Sequence, residues 1–146
     1  MKKIYMKIVL DIIMVVILLS LTRIKITGMF WHEVLGIVIL GIFIIHVCSN
    51  LKTFKAMHKG MTNKKLTGKA KFSHCLNGTL FLLALIAVIT GILISYTILT
   101  NITIANRDIV AIVHRLSAGL LFIGVIVHIV LHRKHIKGKV KKAIGR

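Results

Sequence analysis

Four long apolar blocks in a chain without proline constrain this sequence more than any other feature. The blocks run over about 4–21, 30–51, 76–99 and 109–131. Each is close to the roughly 20 residues that a helix needs to cross the hydrocarbon core of a bilayer. A helix is required because backbone polar groups find no partners in lipid. The blocks therefore predict an all-α fold, an integral membrane four-helix bundle, with residues 1–146 forming a single transmembrane domain.

Composition and charge agree with a membrane location. Apolar residues make up 57% of the chain, against about half or less in soluble domains. The net charge of +18 would suggest nucleic acid in a soluble domain. Here the basic residues cluster at the ends of the blocks, and no basic helix is interleaved with base-stacking aromatic residues. We therefore expect membrane lipid as a partner, and no nucleic acid.

The distribution of basic residues predicts the orientation. Three lie at the N-terminus, seven lie in the loop 52–73 and seven follow Leu131, whereas the opposite side holds four. This bias predicts a multi-pass protein of the cytoplasmic (inner) membrane with both termini and the long basic loop in the cytoplasm. Apolar residues at helical spacing within that loop leave two alternatives open, an amphipathic helix on the leaflet or a solvated loop.

Four histidines inside the blocks are the candidates for chemistry. His32 and His46 lie in the second block and His114 and His128 in the fourth, and both separations are 14 residues. Fourteen helical residues advance about 1400°, so each pair lies on one stripe, with about 21 Å of height between its members. The second and fourth helices run in the same direction. His32 is therefore expected level with His114 (the outer pair), and His46 level with His128 (the inner pair).

Two facing imidazoles at one depth can take both axial positions of a haem iron. The two levels therefore predict two haem b groups, one held by the outer pair and one by the inner pair. Zinc sites need three or four ligands close together, which residues about 21 Å apart cannot supply. A lone membrane histidine is often a hydrogen-bonded core residue, but the same spacing on two helices favours ligation.

Several neighbouring residues are candidates for contact with these haems. Gly36 and Gly124 lie one turn inside a predicted ligand, where a flat macrocycle needs a thin helix wall, although glycine is also common at membrane helix contacts. Arg115 is predicted to bind propionates of the outer haem and His132 those of the inner one, with interfacial charge as the alternative. The other basic candidates are Arg23 and Lys25 for the outer haem, and Lys52 and Arg133 for the inner haem.

His132 also competes with His128 as an inner ligand. It lies 18 residues beyond His114, which is five whole turns, and so shares its face. Depth favours His128, because His132 lies about 6 Å further along the helix, in the headgroup region. The remaining histidines are predicted to be surface residues: His58, His74 and His135.

Two ionisable residues of the first block complete the candidates. Lys7 and Asp11 are four residues apart, so they can pair on one helix face. Asp11 and His74 are the proton carriers nearest to the inner face. Quinol oxidation in a membrane pocket is therefore a second hypothesis, although neither residue belongs to a recognisable motif.

Four segments also carry a resemblance to a known family. They are 31–36 (WHEVLG), 43–46 (FIIH), 90–95 (TGILIS) and 128–134 (HIVLHRK). They resemble the small flavinylation-associated cytochromes of bacteria, a cytochrome-b-like family with four helices and haem histidines on the second and fourth. The resemblance covers nearly the whole chain. At 114–119 (HRLSAG) the chain departs from the family pattern, since arginine replaces glutamate after the histidine and glycine comes one residue late.

The resemblance implies an electron carrier that serves extracytoplasmic proteins bearing covalent flavin. The donor is then a quinol or another redox protein, because the chain has almost no soluble part in which to bind a nicotinamide. It would be the electron-transfer component of an oxidoreductase system, with no catalytic residue of its own. The alternative is a non-redox membrane subunit that scaffolds a transporter or another complex. An absorption spectrum distinguishes the two, because only the first is red.

Overall fold

The described part of the chain folds into four helices. The computed structural model describes residues 2–62, 67–97 and 103–144, with the side chains of 2–4, 57, 61–62, 135, 139 and 142–144 left aside. The helices are α1 (Lys2–Leu21), α2 (Ile24–Thr62), α3 (Gly68–Leu93) and α4 (Arg107–Ile144). These described ranges contain no strand. The predicted all-α class is confirmed.

Within the described residues, three of the helices contain stretches that are long and apolar enough to cross a membrane. These stretches are Ile24–Gly60, Gly68–Leu93 and Arg107–Lys134. Most of their large apolar side chains are exposed on the outside of the bundle, where lipid tails suit them as well as a protein core would. Helix α1 carries Lys7 and Asp11 in its first half, and its passage through the membrane stays a prediction.

The helices continue well beyond the apolar blocks. Helix α2 reaches Thr62 and α3 begins at Gly68, so most of the predicted long loop 52–73 is helical. Helix α4 likewise continues to Ile144. Hydropathy marks the part of a helix that lipid surrounds, whereas lysine, alanine and methionine sustain a helix in water equally well. The position 99 predicted as the end of the third block lies outside the described residues, and α3 ends earlier, at Leu93.

Gly28 interrupts the helical geometry near the start of α2. Its backbone angles are φ 80° and ψ 165°, a conformation that glycine adopts without the steric cost paid by other residues. The break separates the first turn of α2 from its main length. It lies between the end of α1 and His32, whose side chain contacts the carbonyl of Leu21.

The helices are arranged in a ring, with the two histidine-bearing helices on a diagonal. Helix α1 packs against α2 and α4, and α3 packs against the same two helices. In the described ranges, no Cα atom of α2 approaches a Cα atom of α4 within 8 Å. The histidine faces of α2 and α4 are therefore separated by a width that side chains, or a cofactor between them, must fill.

Candidate haem-binding sites

The structure brings the outer pair together across the bundle. His32 and His114 are half-buried, and their ring centroids lie 6.2 Å apart with the ring planes at 83°. Two imidazoles that share one metal, each through a nitrogen about 2 Å away, have ring centres roughly 6 Å apart. The outer pair thus has the separation that a bis-histidine site requires.

Each imidazole of the outer pair is oriented by a backbone carbonyl. Nδ1 of His32 donates to the carbonyl of Leu21 (3.2 Å), and Nδ1 of His114 donates to the carbonyl of Ala87 (2.8 Å). A carbonyl oxygen only accepts, so the proton of each neutral ring lies on Nδ1 and Nε2 is the basic nitrogen. Such a partner fixes both the tautomer and the orientation that ligation through Nε2 needs.

Helix α3 makes room for the outer imidazole at Gly91. A Cβ atom at this position would lie 3.0 Å from Cε1 of His114, closer than the ring could tolerate without moving. The preceding Thr90 directs its hydroxyl to the carbonyl of Ile86 (2.6 Å) and lies 3.4 Å from Nδ1 of His114. Neither Thr90 nor Gly91 stands out in the sequence by charge or spacing, and both lie in the segment 90–95 that carries the family resemblance.

The imidazoles of the inner pair are oriented by side chains instead. Nδ1 of His46 lies 2.9 Å from Oδ1 of Asp11. Nδ1 of His128 lies 2.9 Å from Oδ1 of Asn77. Both oxygens are acceptors, so Nδ1 again donates and Nε2 is again the basic nitrogen of the neutral ring.

The same rule holds at both levels of the bundle. Helix α1 supplies the partners of the two candidate ligands on α2, and α3 supplies the partners of the two candidate ligands on α4. A histidine that only fills a core has no reason to use one particular nitrogen. Four candidate ligands that all engage Nδ1 therefore fit axial ligation of haem iron, where the second nitrogen is normally held by a protein acceptor.

The side chains of Lys7 and Asp11 on α1 both reach α2 near the inner pair. The sequence suggested that Lys7 and Asp11 pair with each other. In the structure Nζ of Lys7 donates to the carbonyl of Ser49 (2.7 Å) and to Oδ1 of Asn50 (3.1 Å). The amide of Asn50 in turn donates to the carbonyl of His46 (2.9 Å). Polar contacts on two successive turns thus tie α1 to α2 at this level.

His132 differs from the four candidate ligands in the nitrogen it uses. Its Nε2 lies 2.9 Å from the hydroxyl of Ser73, and its ring centroid lies 4.6 Å from that of His128. The four candidate ligands use Nδ1 for their hydrogen bonds, whereas His132 uses Nε2, the nitrogen that would bind the iron. This contact favours His128 over His132 as the inner ligand. Binding of a propionate by His132 stays a prediction.

The two candidate glycines have different surroundings. A Cβ atom at Gly36 would meet nothing within 4 Å, whereas one at Gly124 would lie 2.7 Å from Cδ2 of Leu80. The missing side chain of Gly124 therefore serves the contact between α3 and α4, which is the packing alternative. Arg115 is exposed. The other basic candidates are exposed as well: Arg23, Lys25, Lys52 and Arg133.

The surface position predicted for His74 is wrong. Its exposed fraction is 7%, and its ring lies 4.8 Å from Phe54 and 5.6 Å from His58, measured between centroids. Burial results from the continuation of α2 past the predicted block, which brings these rings over α3. Nδ1 of His74 has no hydrogen-bond partner within the described part of the chain. His58 is exposed as predicted, and the side chain of His135 lies outside the described residues.

Glu33 organises the outer end of the bundle, a role that the sequence did not reveal. Its carboxylate accepts from the hydroxyl of Ser95 (2.7 Å) and from the backbone N–H groups of Tyr96 and Thr97 (3.0 Å each). Arg107 donates to the carbonyl of Ser95 (3.2 Å) and lies 3.7 Å over the ring of Tyr96. These contacts join α2, the end of α3 and the start of α4 beside the outer pair.

Metal-ligating side chains occur in pairs rather than in larger clusters. Among the described residues, no three histidine, cysteine or acidic side chains come together in a way that could hold a metal ion. A haem iron needs only two protein ligands, because its macrocycle supplies the others. The residues present therefore fit haem better than a protein-bound metal ion.

Apolar helices, histidines on diagonal helices and oriented imidazoles together define the class of b-type membrane cytochromes. The family described as prokaryotic cytochrome b561 matches residues 6–145, and the chain belongs to this family. It is a multi-pass membrane protein of the electron-transfer type, with haem b as its cofactor and redox proteins or carriers as its partners. No curated protein and no solved structure matches the chain.

Proposed function

We propose that the protein binds two haems b and conducts electrons across the cytoplasmic membrane. The outer haem would be held by His32 and His114, and the inner haem by His46 and His128. The observation that carries the proposal is the shared use of Nδ1, which is held by an acceptor in all four imidazoles. The chain then supplies ligands, an apolar shell and a fixed spacing, while the iron supplies one-electron chemistry.

The two levels would provide two haem positions for an electron within the bilayer. Fourteen residues of helix separate the levels by about 21 Å, against a hydrocarbon thickness of about 30 Å. A single haem at either level would leave one face of the membrane beyond reach. Haems at both levels would place one redox centre near each face of the membrane. Transfer of an electron across the membrane requires this arrangement.

The orientation and the partners rest on the sequence. The excess of basic residues at the ends near the inner pair favours the cytoplasm for that side, with both termini there. The proposed donor is a quinol or a redox protein, because the described residues are almost entirely helical and offer no nucleotide-binding domain. The proposed acceptor is an extracytoplasmic flavoprotein, a choice supported by the resemblance of the segments around His32, Thr90 and His128.

Vesicles that contain the purified protein in one orientation test this proposal. A reductant on the side of the termini should reduce an impermeant acceptor on the opposite side. His32→Ala and His46→Ala should each abolish the transfer. His58→Ala, which removes an exposed histidine of the same helix, is the matched control and should retain it.

Two results would contradict the proposal. One is electron transfer that persists in the His46→Ala protein, since transfer would then not require the inner haem. The other is a colourless protein purified from membranes that are replete in haem. That second result would support the alternative function, a non-redox subunit that scaffolds another membrane complex.

A further inference from the structure

We propose that Asp11, through its contact with His46, lowers the redox potential of the inner haem and so favours release of an electron from that level. The inference rests on the proposed two-haem function and adds a residue that tunes one of its two sites. It follows from a difference between the partners of the four imidazoles. Three of those partners are neutral oxygens, whereas the partner of His46 is a carboxylate.

The contact between Asp11 and His46 is the only one of the four that brings a charge to a candidate ligand. The chain has three acidic residues in all, and this one lies 2.9 Å from Nδ1 of His46. An anionic acceptor forms a stronger hydrogen bond than a neutral one. It also raises the basicity of the imidazole as a ligand.

A more basic and more negative environment favours the oxidised iron. Ferric haem carries one positive charge more than ferrous haem, so a nearby carboxylate stabilises it more through the Coulomb interaction. The potential of the inner haem should therefore fall. The outer pair has the neutral carbonyls of Leu21 and Ala87 at the same positions. The nearby carboxylate of Glu33 binds Ser95 and two backbone N–H groups instead of an imidazole nitrogen.

The lysine one helical turn away does not share this position. Lys7 lies one turn from Asp11 on α1, but its ammonium donates to the carbonyl of Ser49 and to Oδ1 of Asn50. Both of these acceptors are neutral groups of α2. The charge in direct contact with the imidazole of His46 is thus the carboxylate, and its sign sets the direction of the effect.

The consequence would be an easier release of one electron from the inner level. A haem held by His46 and His128 would supply the one-electron chemistry, and Asp11 would favour its oxidised state. Such a transfer would form and break no bond and would require no proton.

Optical redox titration of the purified two-haem protein tests the inference. Asp11→Asn keeps an acceptor oxygen and removes the charge. It should raise the ratio of reduced to oxidised inner haem about tenfold at a fixed ambient potential, equal to about 59 mV for a one-electron couple. The outer haem should change less than about twofold, because Asp11 is about 21 Å away from its level.

Two further variants extend the test, one by adding a carboxylate at the inner level and one as a control. Asn77→Asp places a carboxylate on the partner of His128 and should lower the inner potential further. Asp108→Asn removes an exposed acid of α4 that contacts neither pair, and should leave both potentials unchanged. The His32→Ala protein would retain only the inner haem. Its titration therefore shows which of the two steps in the wild-type redox titration belongs to the inner haem.

The outcomes separate this inference from the proposed function. A two-haem protein whose inner potential is unmoved by Asp11→Asn would overturn the inference and leave the function standing. If Asp11→Asn does not retain its haem, an unmoved or raised potential in Asn77→Asp would overturn it instead. A wild-type protein without haem at the inner level would overturn both together.

Discussion

The outer and inner pairs of imidazoles are both held at Nδ1, but by different kinds of acceptor. Around the outer pair, the backbone carbonyls of Leu21 and Ala87 hold the imidazoles. Around the inner pair, the side chains of Asp11 and Asn77 do so. Any residue can supply a carbonyl, so the outer site depends on helix positions and on space. The inner site depends on two particular side chains, and single substitutions should therefore affect the two sites differently.

The largest effect should come from removing a ligand of the inner pair. His128→Ala should reduce the haem content from about two to about one per chain and leave the outer haem low-spin, because no other described imidazole is set for ligation at that level. His132→Ala should keep both haems and shift one potential only. Haem content and low-spin optical spectra of the two variants measure this. A protein that keeps two haems without His128 but loses one without His132 would reverse the assignment.

A smaller effect should follow from removing a side-chain partner at the inner level. Asn77→Leu deletes the acceptor of His128 and should weaken binding of the inner haem about 10- to 100-fold, which is typical of the loss of a partner behind a metal ligand. Haem titration of the apoprotein measures the affinity at each site. Leu80→Ala, three residues along α3, is a control that changes packing without touching an imidazole partner. Equal losses in both variants would mean that packing, not the hydrogen bond, holds His128.

Haem binding at the outer site should depend on the room around the ring of His114 rather than on a particular side-chain partner. Gly91→Val places a branched side chain where Cε1 of His114 lies, and overpacking of this kind costs about 1–3 kcal/mol. Outer haem occupancy should therefore fall about tenfold in the same titration. Gly78→Val introduces the same side chain on the same helix at a position where a Cβ meets open space, and should leave both sites intact. Equal occupancy in the two variants would show that the outer imidazole does not need the room.

The smallest effect should come from the contacts beside the outer pair. Glu33→Gln keeps an acceptor for Ser95 but removes the charge that strengthens three hydrogen bonds. The cost should be about 1 kcal/mol, seen as a lower thermal midpoint of the haem-loaded protein. Haem content should remain at two, because Glu33 touches neither imidazole nitrogen. Selective loss of the outer haem would give Glu33 a direct part in the site.

The features that the sequence predicted are those that local patterns encode. Apolar length predicts helices, and the 14-residue spacing places each pair of histidines on one stripe. Contacts between helices have no such signature. Asp11 and His46 are 35 positions apart in the sequence, and the predicted pairing of Asp11 with Lys7 was the only one that a single helix could suggest. The burial of His74 was missed for a related reason, since hydropathy does not show that α2 continues beyond lipid.

The pyridine haemochrome assay, set against protein concentration, measures the number of haems per chain. The chain carries two candidate ligand pairs, each with both imidazoles held at Nδ1. Protein purified from haem-replete membranes should therefore contain close to two haems b per chain. A ratio near one, unchanged when His46 or His128 is replaced by alanine, would contradict the inner site, and a ratio near zero would contradict the account as a whole.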